Sequence, residues 1–483
     1  MKRYMQLLLA TSTVVILLHA CAKKNDYNTF DTTQYAASSQ QYVYLKNSVN
    51  TQNTVVINAT VSGSAVTALS NDSLSLYLNT TKPVSGAISG SVVTDESLVT
   101  TYNTANKTSY TLLPSAAYTL ANNTGLSVAA GASSSSNGAL LKLNKAALVQ
   151  GVQYLLPIKV SAITGSIDIS TNQNVVYVAV NVPLANTAST AKPGGYKQIL
   201  YVEVNDNNPL NALNYNLTNS KTPFFDVVNI FAANINYDNV KQKPYIYFNQ
   251  QVSAILSNRQ KYIVPLQAKG MKVCLALLCN HQGVGFDNFT SATGINDFVQ
   301  QVKKIVDDYQ LDGIDIDDEY AQYGTNGQPA VNDSSLVLLT KRFREVMPNK
   351  IISYYYFSDA VSIPKYAQWN GLTVGQYIDY TYQGSYNRYS VPSMPGLTDK
   401  SKIGAYSLNL SSPQTSTSFN TNVNTVKTNG YGGTFMWYNL GAADQVTLSN
   451  GTKANLSTYF TYVSNLYYGE TVTYTNQPYA KDY

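Results

Sequence analysis

Ten residues, Leu311–Tyr320, read L-D-G-I-D-I-D-D-E-Y and hold four Asp and one Glu, in a chain where only 12% of residues are charged. Asp315, Asp317 and Glu319 occupy alternate positions. Successive side chains of a β-strand point to opposite faces, so these three acids share one face, about 7 Å apart at the Cα level. Such a row repels itself and persists where chemistry or an ion needs it. A calcium loop is one alternative, but such loops set their acids among polar residues and Gly rather than Ile. Crowded carboxylates cannot all ionise, so at least one keeps its proton near neutrality. That supplies a general acid without histidine.

Paired carboxylates are the usual equipment for hydrolysing a glycosidic bond. Neighbours on one strand cannot flank a sugar from both faces, so an enzymic nucleophile opposite Glu319 is not evident. The 2-acetamido oxygen of an N-acetylated sugar can attack its own anomeric carbon instead. This route needs a carboxylate to orient the acetamido N–H, and Asp317 is placed for it. The chain has two histidines, His19 and His281. His19 falls in a removable leader, which excludes a His-rich metal site and leaves one residue for a Ser-His-Asp triad. No metal and no cofactor is expected, and the chemistry rests on carboxylates and tyrosines. The 40 tyrosines suit a surface that meets sugars, each with an apolar face and a polar tip. A secreted protein rich in β-structure explains the same composition. No basic cluster interleaved with aromatics is present, so nucleic acid is not an expected partner.

The N-terminus sets the address. Lys2 and Arg3 precede an apolar run from Met5 to Leu18, too short to span a bilayer and typical of a secretion signal. Leu18-His19-Ala20-Cys21 resembles the lipobox of bacterial lipoproteins, in which the cysteine is lipidated. The expectation is a signal over residues 1–20, lipidation at Cys21, a tether over 21–39, and an exported monomer on the outer membrane or surface of a Gram-negative cell. Of the remaining thiols, Cys274 and Cys279 face opposite sides of one expected strand and cannot bridge. Both read as buried apolar residues.

From residue 40 to 183 the pattern is short alternating or β-branched runs broken by Asn, Gly, Ser and Thr, among them Thr54–Val61, Tyr154–Val160 and Val175–Val182. This spacing predicts a β-sandwich, with Pro157 on an edge strand or bulge. The pair Y-L-L-P-I-K-V and N-V-V-Y-V-A-V resembles the small N-terminal sandwich domain of glycan-foraging surface lipoproteins, which implies a spacer or an accessory glycan-binding unit. Residues 184–195 have linker composition. Over 196–475, strand-like apolar runs alternate with segments of helical period such as Ile295–Tyr309, Ser335–Val346 and Leu456–Tyr468. Eight such strands with intervening helices predict a (β/α)8 barrel, an α/β fold, with the acidic stretch as strand four. Glu319 then falls at the carboxyl end of its strand, where such barrels carry catalytic groups.

D-G-I-D-I-D-D-E fits D-G-x-D-x-D-x-E, the signature of glycoside hydrolase family 18. Phe231–Asp238 (F-A-A-N-I-N-Y-D), Cys279–Phe286 (C-N-H-Q-G-V-G-F) and Leu311–Gly324 resemble its endo-β-N-acetylglucosaminidases of the H and F type. The likeness runs through most of Tyr196–Tyr468. It implies cleavage between the two core GlcNAc residues of N-linked glycans, with retention and with high-mannose chains preferred. Glu319 stands where the family has its acid/base, and Asp317 where it orients the acetamido group. Asp315 matches the inner Asp that shares a proton with its neighbour. Asp312 and Asp318 are expected to face away and serve structure.

Where H-type enzymes read approximately W-N-P-Y-Y-G on strand six, this chain has Y-Q-G-S-Y-N-R-Y over Tyr382–Tyr389. The alignment puts Tyr386 on the acetamido-binding tyrosine, with Tyr382 and Gln383 as further substrate contacts. Trp437 is the candidate floor of the −1 sugar, as in related chitinases. Asn280 and His281 match the turn after strand three, as loop-shaping residues or sugar contacts. Two other functions compete. A chitinase of the same family commonly has S-x-G-G where this chain has C-N-H-Q-G. A non-catalytic glycan-binding lipoprotein often lacks the terminal Glu, which is present.

Overall fold

Both faces of each strand in a closed parallel sheet are buried, one in the lumen and one under helices, so such strands read as near-continuous apolar runs. The second half of the chain follows that rule. The computed structural model describes residues 40–483 except 64, 107, 184–191, 193, 194, 361, 433 and 449. The expected signal, Cys21, the tether and most of the expected linker lie outside the described residues.

Strands β1 (Gln198–Glu203), β2 (Val227–Asp238), β3 (Lys272–Cys279), β4 (Gly313–Asp318), β5 (Ile351–Ser358) and β6 (Tyr380–Gln383) pair in parallel, each with the next. Strand β7 comes as two runs, Ile403–Gly404 and Tyr406–Asn409; the first pairs with β6 and the second with β8 (Phe435–Tyr438). Strand β8 returns to β1, closing the barrel. Two side-chain layers result. Ile199, Tyr201, Cys274, Ala276, Tyr355, Tyr382 and Met436 fill the lumen. Leu200, Leu275, Ile314, Ile316 and Trp437 join the larger core beneath the helices.

Helix α1 (Ala292–Asp308) is capped by Ser291, whose side chain accepts from the Gly294 N–H. Its buried residues Ile295, Phe298, Val299, Val302 and Val306 recur at helical spacing and pack on the sheet. Helix α2 (Ser335–Val346) covers the next gap in the same way, through Leu336, Leu339 and Phe343. Gly313 opens β4 because nothing larger fits there: a Cβ would stand 2.1 Å from the Ile351 carbonyl oxygen.

The first part of the chain forms a five-stranded and a seven-stranded sheet. Val43 and Leu76 from one, and Ile57, Val92, Ile158 and Val178 from the other, share one core. Pro157 departs from expectation. It sits in an interior strand, Gln153–Thr164, paired with Tyr177 on one side. On the other side pairing with the Ile88–Thr94 strand begins only at Ile158, so the donor that proline lacks falls where no ladder bond is due. A register shift does occur, but between Val160 and Ala162.

This unit contacts the barrel at the amino ends of its strands, away from Glu319. Arg259, 2% exposed, donates to the carbonyls of Gly151 at 3.0 Å and Tyr309 at 2.9 Å. Gln153 Nε2 donates to the Asp308 carbonyl at 2.5 Å. Burying a guanidinium without a carboxylate is tolerable because every donor group finds an oxygen; its third partner is Gln267 Oε1 at 3.0 Å.

Candidate active site

Strand alternation distributes the acids of β4. Asp315 and Asp317 point into the lumen, while Ile314, Ile316 and Asp318 point outward. Asp315, fully buried, accepts from the hydroxyls of Tyr201, Tyr382 and Ser353. Burial pushes its carboxyl up to about 6, although these three hydroxyls favour the charged form. Asp315 is held as an acceptor, with donors from β1, β5 and β6 converging on it.

Asp317, one repeat nearer the mouth, is the opposite case. It is 1% exposed, and its Oδ1 has no hydrogen-bond partner among the described residues. Burial and then repulsion from Glu319 and Asp315 raise its pKa well above the usual carboxylate range. A buried polar atom without a partner costs about 1–3 kcal/mol. A ligand N–H delivered into the lumen would remove that cost.

Glu319 lies one residue beyond β4 and is half-buried. Burial, then the charges of Asp359 and Asp318, raise its pKa, which keeps a proton available nearer neutrality. Tyr320 follows with φ +62° and is exposed. The turn fixes where the strand stops and the carboxyl begins.

Tyrosines line the wall beside these acids. Tyr386 stacks on Tyr438 with ring centroids 4.8 Å apart and planes at 17°. The Tyr355 hydroxyl donates to the Gly384 carbonyl at 2.8 Å and lies 3.0 Å from the Tyr386 hydroxyl. Asn280 donates from Nδ2 to Asn236 Oδ1 at 2.8 Å, joining the ends of β3 and β2 at the mouth. His281, with φ +54°, donates its backbone N–H to the Tyr320 carbonyl at 2.6 Å, and its ring lies 5.1 Å from that of Tyr320. It shapes the turn beside Glu319.

Three expected sugar contacts are corrected. Trp437 is fully buried on the helix side, packed on Phe460 and Phe224, with Nε1 donating to Gln198 Oε1 at 2.9 Å. Parity decides it: Met436 and Tyr438 take the lumen face of β8, so Tyr438 is the aromatic at its mouth. Tyr382 is fully buried beneath Asp317, where its hydroxyl serves Asp315. Gln383 takes the outward face of β6. Its Nε2 donates to Ser407 Oγ at 2.7 Å and to the Arg388 carbonyl at 2.9 Å, and its Oε1 accepts from the Ser385 N–H at 2.7 Å. The side chain is fully occupied by the loop it shapes.

Asp312 and Asp318 face away, as expected. Asp312 Oδ2 accepts from the Val273 N–H at 2.9 Å and from Gln267 Nε2 at 2.8 Å, tying β4 to β3. The sequence reading missed Tyr201, Ser353, Tyr355, Tyr438 and Glu203. The available signal was a polar or aromatic residue at lumen parity, as in I-L-Y-V-E and I-I-S-Y-Y-Y. Glu203 ends β1, where Asn205 holds its Oε1 at 2.6 Å.

A closed parallel barrel with a half-buried glutamate at its mouth, an unpartnered aspartate below and a tyrosine wall defines a glycoside hydrolase. Comparison with known proteins carries this further. The chain is 39% identical over 292 residues to an endo-β-N-acetylglucosaminidase of Flavobacterium sp. (strain SK1022), covering 60% of this chain and 87% of that one. It is 36% identical over 294 residues to endo-β-N-acetylglucosaminidase F1 of Elizabethkingia meningoseptica, covering 59% and 82%. The crystal structure of EndoBT-3987 from Bacteroides thetaiotamicron with Man5GlcNAc product matches 91% of this chain and 97% of its own, with TM-score 0.53 and 25% identity. A family model described as an N-terminal domain matches residues 28–167. The chain belongs to the endo-β-N-acetylglucosaminidases.

Proposed function

We propose that this enzyme cuts the GlcNAc-β1,4-GlcNAc core of N-linked glycans, high-mannose chains above all, with retention and by the substrate-assisted route of glycoside hydrolase family 18. The observation that carries the reading is Asp317: a buried carboxyl with one oxygen unpartnered among the described residues, directly beneath Glu319. An acetamido N–H at the −1 position satisfies that oxygen and turns its own carbonyl toward the anomeric carbon. Glu319 protonates the departing GlcNAc oxygen, the acetamido oxygen closes an oxazolinium-like ring, and Glu319 then takes a proton from the water that opens it. Asp317 balances the positive charge of the ring. Tyr386 stands on the same wall, placed to donate its hydroxyl to the acetamido carbonyl, with Tyr355 beside it holding the Gly384 carbonyl. Asn280 and His281 are proposed to meet the glycan at the rim.

The test sets a high-mannose glycoprotein beside chitin oligomers under one set of conditions. Release of the glycan from the protein with little action on chitin is expected. Cleavage of chitin alone would assign the chain to the chitinase reading instead.

We also propose export, lipidation at Cys21 and a monomer anchored to the outer membrane. What supports this is the leader composition and the L-H-A-C sequence. No helix among the described residues is long and apolar enough to cross a membrane. Cys21→Ser is expected to move the protein from the membrane fraction to the soluble fraction of the cell; unchanged partition would refute lipid anchoring.

A further inference from the structure

A second carboxyl pair lies behind the catalytic strand, on its helix side. Asp318 ends β4 and is 0% exposed; Asp287, in the loop after β3, is 1% exposed. Ser358, the last residue of β5, donates from Oγ to Asp318 Oδ2 and lies 3.4 Å from Asp287 Oδ2. Tyr323, in the loop after β4, donates its hydroxyl to Asp318 Oδ1 and accepts the Asp287 backbone N–H at 3.1 Å. Cys279 Sγ stands 3.5 Å from Asp318 Oδ1. Asp287 Oδ1 has no partner among the described residues. Gly285 makes the assembly possible, since a Cβ there would stand 2.4 Å from the Tyr323 hydroxyl and 2.7 Å from Cys279 Sγ.

Among the described residues, no cation pairs with either carboxyl. The titratable groups facing the pair are Cys279 from β3, Tyr323 from the loop after β4 and Tyr354 from β5. Asp317 lies across the strand, with Glu319 and Asp359 toward the mouth. Two carboxylates desolvated together, with only hydroxyl and thiol donors around them, cannot both ionise. Burial holds both above their usual range; at Asp287 the charge of Asp318 adds to it, whereas at Asp318 the bonds from Ser358, Tyr323, Asp287 and Cys279 work against it.

We propose that Asp287 and Asp318 share one proton as a clamp that joins the loops after β3, β4 and β5, and that this clamp positions Glu319, the residue following Asp318. The backbone supports the link. The Asp359 N–H donates to the Asp318 carbonyl at 2.8 Å, and the His281 N–H to the Tyr320 carbonyl at 2.6 Å, so Glu319 is bracketed by bonds to both flanking loops. Losing the shared proton sets two buried anions against each other and loosens the loops that hold the acid. Asp287 and Asp318 are positioning residues, and the inference rests on the hydrolase reading above.

The test is the pH profile of Asp287→Asn in the full chain, with high-mannose glycopeptide as substrate. The amide donates to Asp318 at every pH and takes the place of the shared proton. Below pH 6, kcat is expected to match the wild type, which keeps the hydrolase reading intact whatever follows. The alkaline limb of kcat is expected to move up by about one pH unit or more. Mere removal of a negative charge near Glu319 would lower that group's pKa and move the limb down. A second readout is thermal unfolding against pH. A carboxyl whose folded pKa is raised contributes stability below its unfolded value, and loses it as pH rises through the folded value. The wild type should therefore lose Tm as pH rises from about 4 toward 7, and Asp287→Asn should flatten that slope. Asp287→Ala, which leaves Asp318 without a proton-sharing partner and Ser358 without the second carboxyl, is expected to lower kcat about tenfold or more with KM little changed. An Asp287→Asn limb superimposed on the wild type or moved down, or an unchanged slope of Tm with pH, would overturn the clamp.

Discussion

Glu319→Gln lowers kcat on a high-mannose glycopeptide by about 10²–10⁴-fold while glycan binding survives: that is the expected result, on the scale of removing a general acid. The amide preserves the shape of the side chain at the end of β4 but holds no transferable proton. Asp315 beneath keeps its partners, because it is fixed by Tyr201, Tyr382 and Ser353 and none of these touches residue 319. Binding by calorimetry and turnover by glycan release separate the two effects. Unchanged turnover would remove Glu319 from the chemistry. Lost binding with lost turnover would favour a structural role.

Asp317→Asn is expected to lower kcat on the glycopeptide by about 10²–10³-fold, the scale of losing a charge-stabilising group. The loss should be markedly smaller with a preformed oxazoline donor. Asp317 acts chiefly while the acetamido group is turned and the ring closes, and a preformed ring no longer needs that step. The alternative nucleophile on the lumen face is Glu203, at the end of β1. Were it forming a covalent glycosyl-enzyme, the oxazoline donor would offer no relief, and Glu203→Gln would match Asp317→Asn in severity. Equal loss with both donors would contradict the orienting role.

The barrel was legible because its strands fall in short, largely apolar runs with amphipathic helices between them, and burial on both faces demands that composition. The acidic strand was legible because charge in such a run has to be explained. Which side chain faces the lumen was not legible where every residue is apolar. In F-M-W-Y no polar residue marks the face, and Trp437 went to the helix side while Tyr438 took the mouth. Y-T-Y-Q posed the same problem, and Tyr382 and Gln383 both turned out to serve the protein rather than the cleft. Tyr386 stacks on Tyr438 and Asn280 bonds Asn236 at the mouth of the barrel. The donors that hold Asp315 come from strands some 40 to 110 residues away, and closure of the barrel, not local pattern, brings them together. Asp318 was read as facing away, and it does. Its partner Asp287 lies 31 positions earlier in the chain, in a stretch of loop whose sequence shows only a glycine-rich turn.

The most direct test of the central claim is the mass of the peptide left after a single defined high-mannose glycopeptide is treated with the enzyme, read together with the reducing end of the released glycan. Cleavage within the core leaves one GlcNAc on the asparagine and one at the reducing end of the glycan. A peptide carrying two GlcNAc residues, or none, would contradict it.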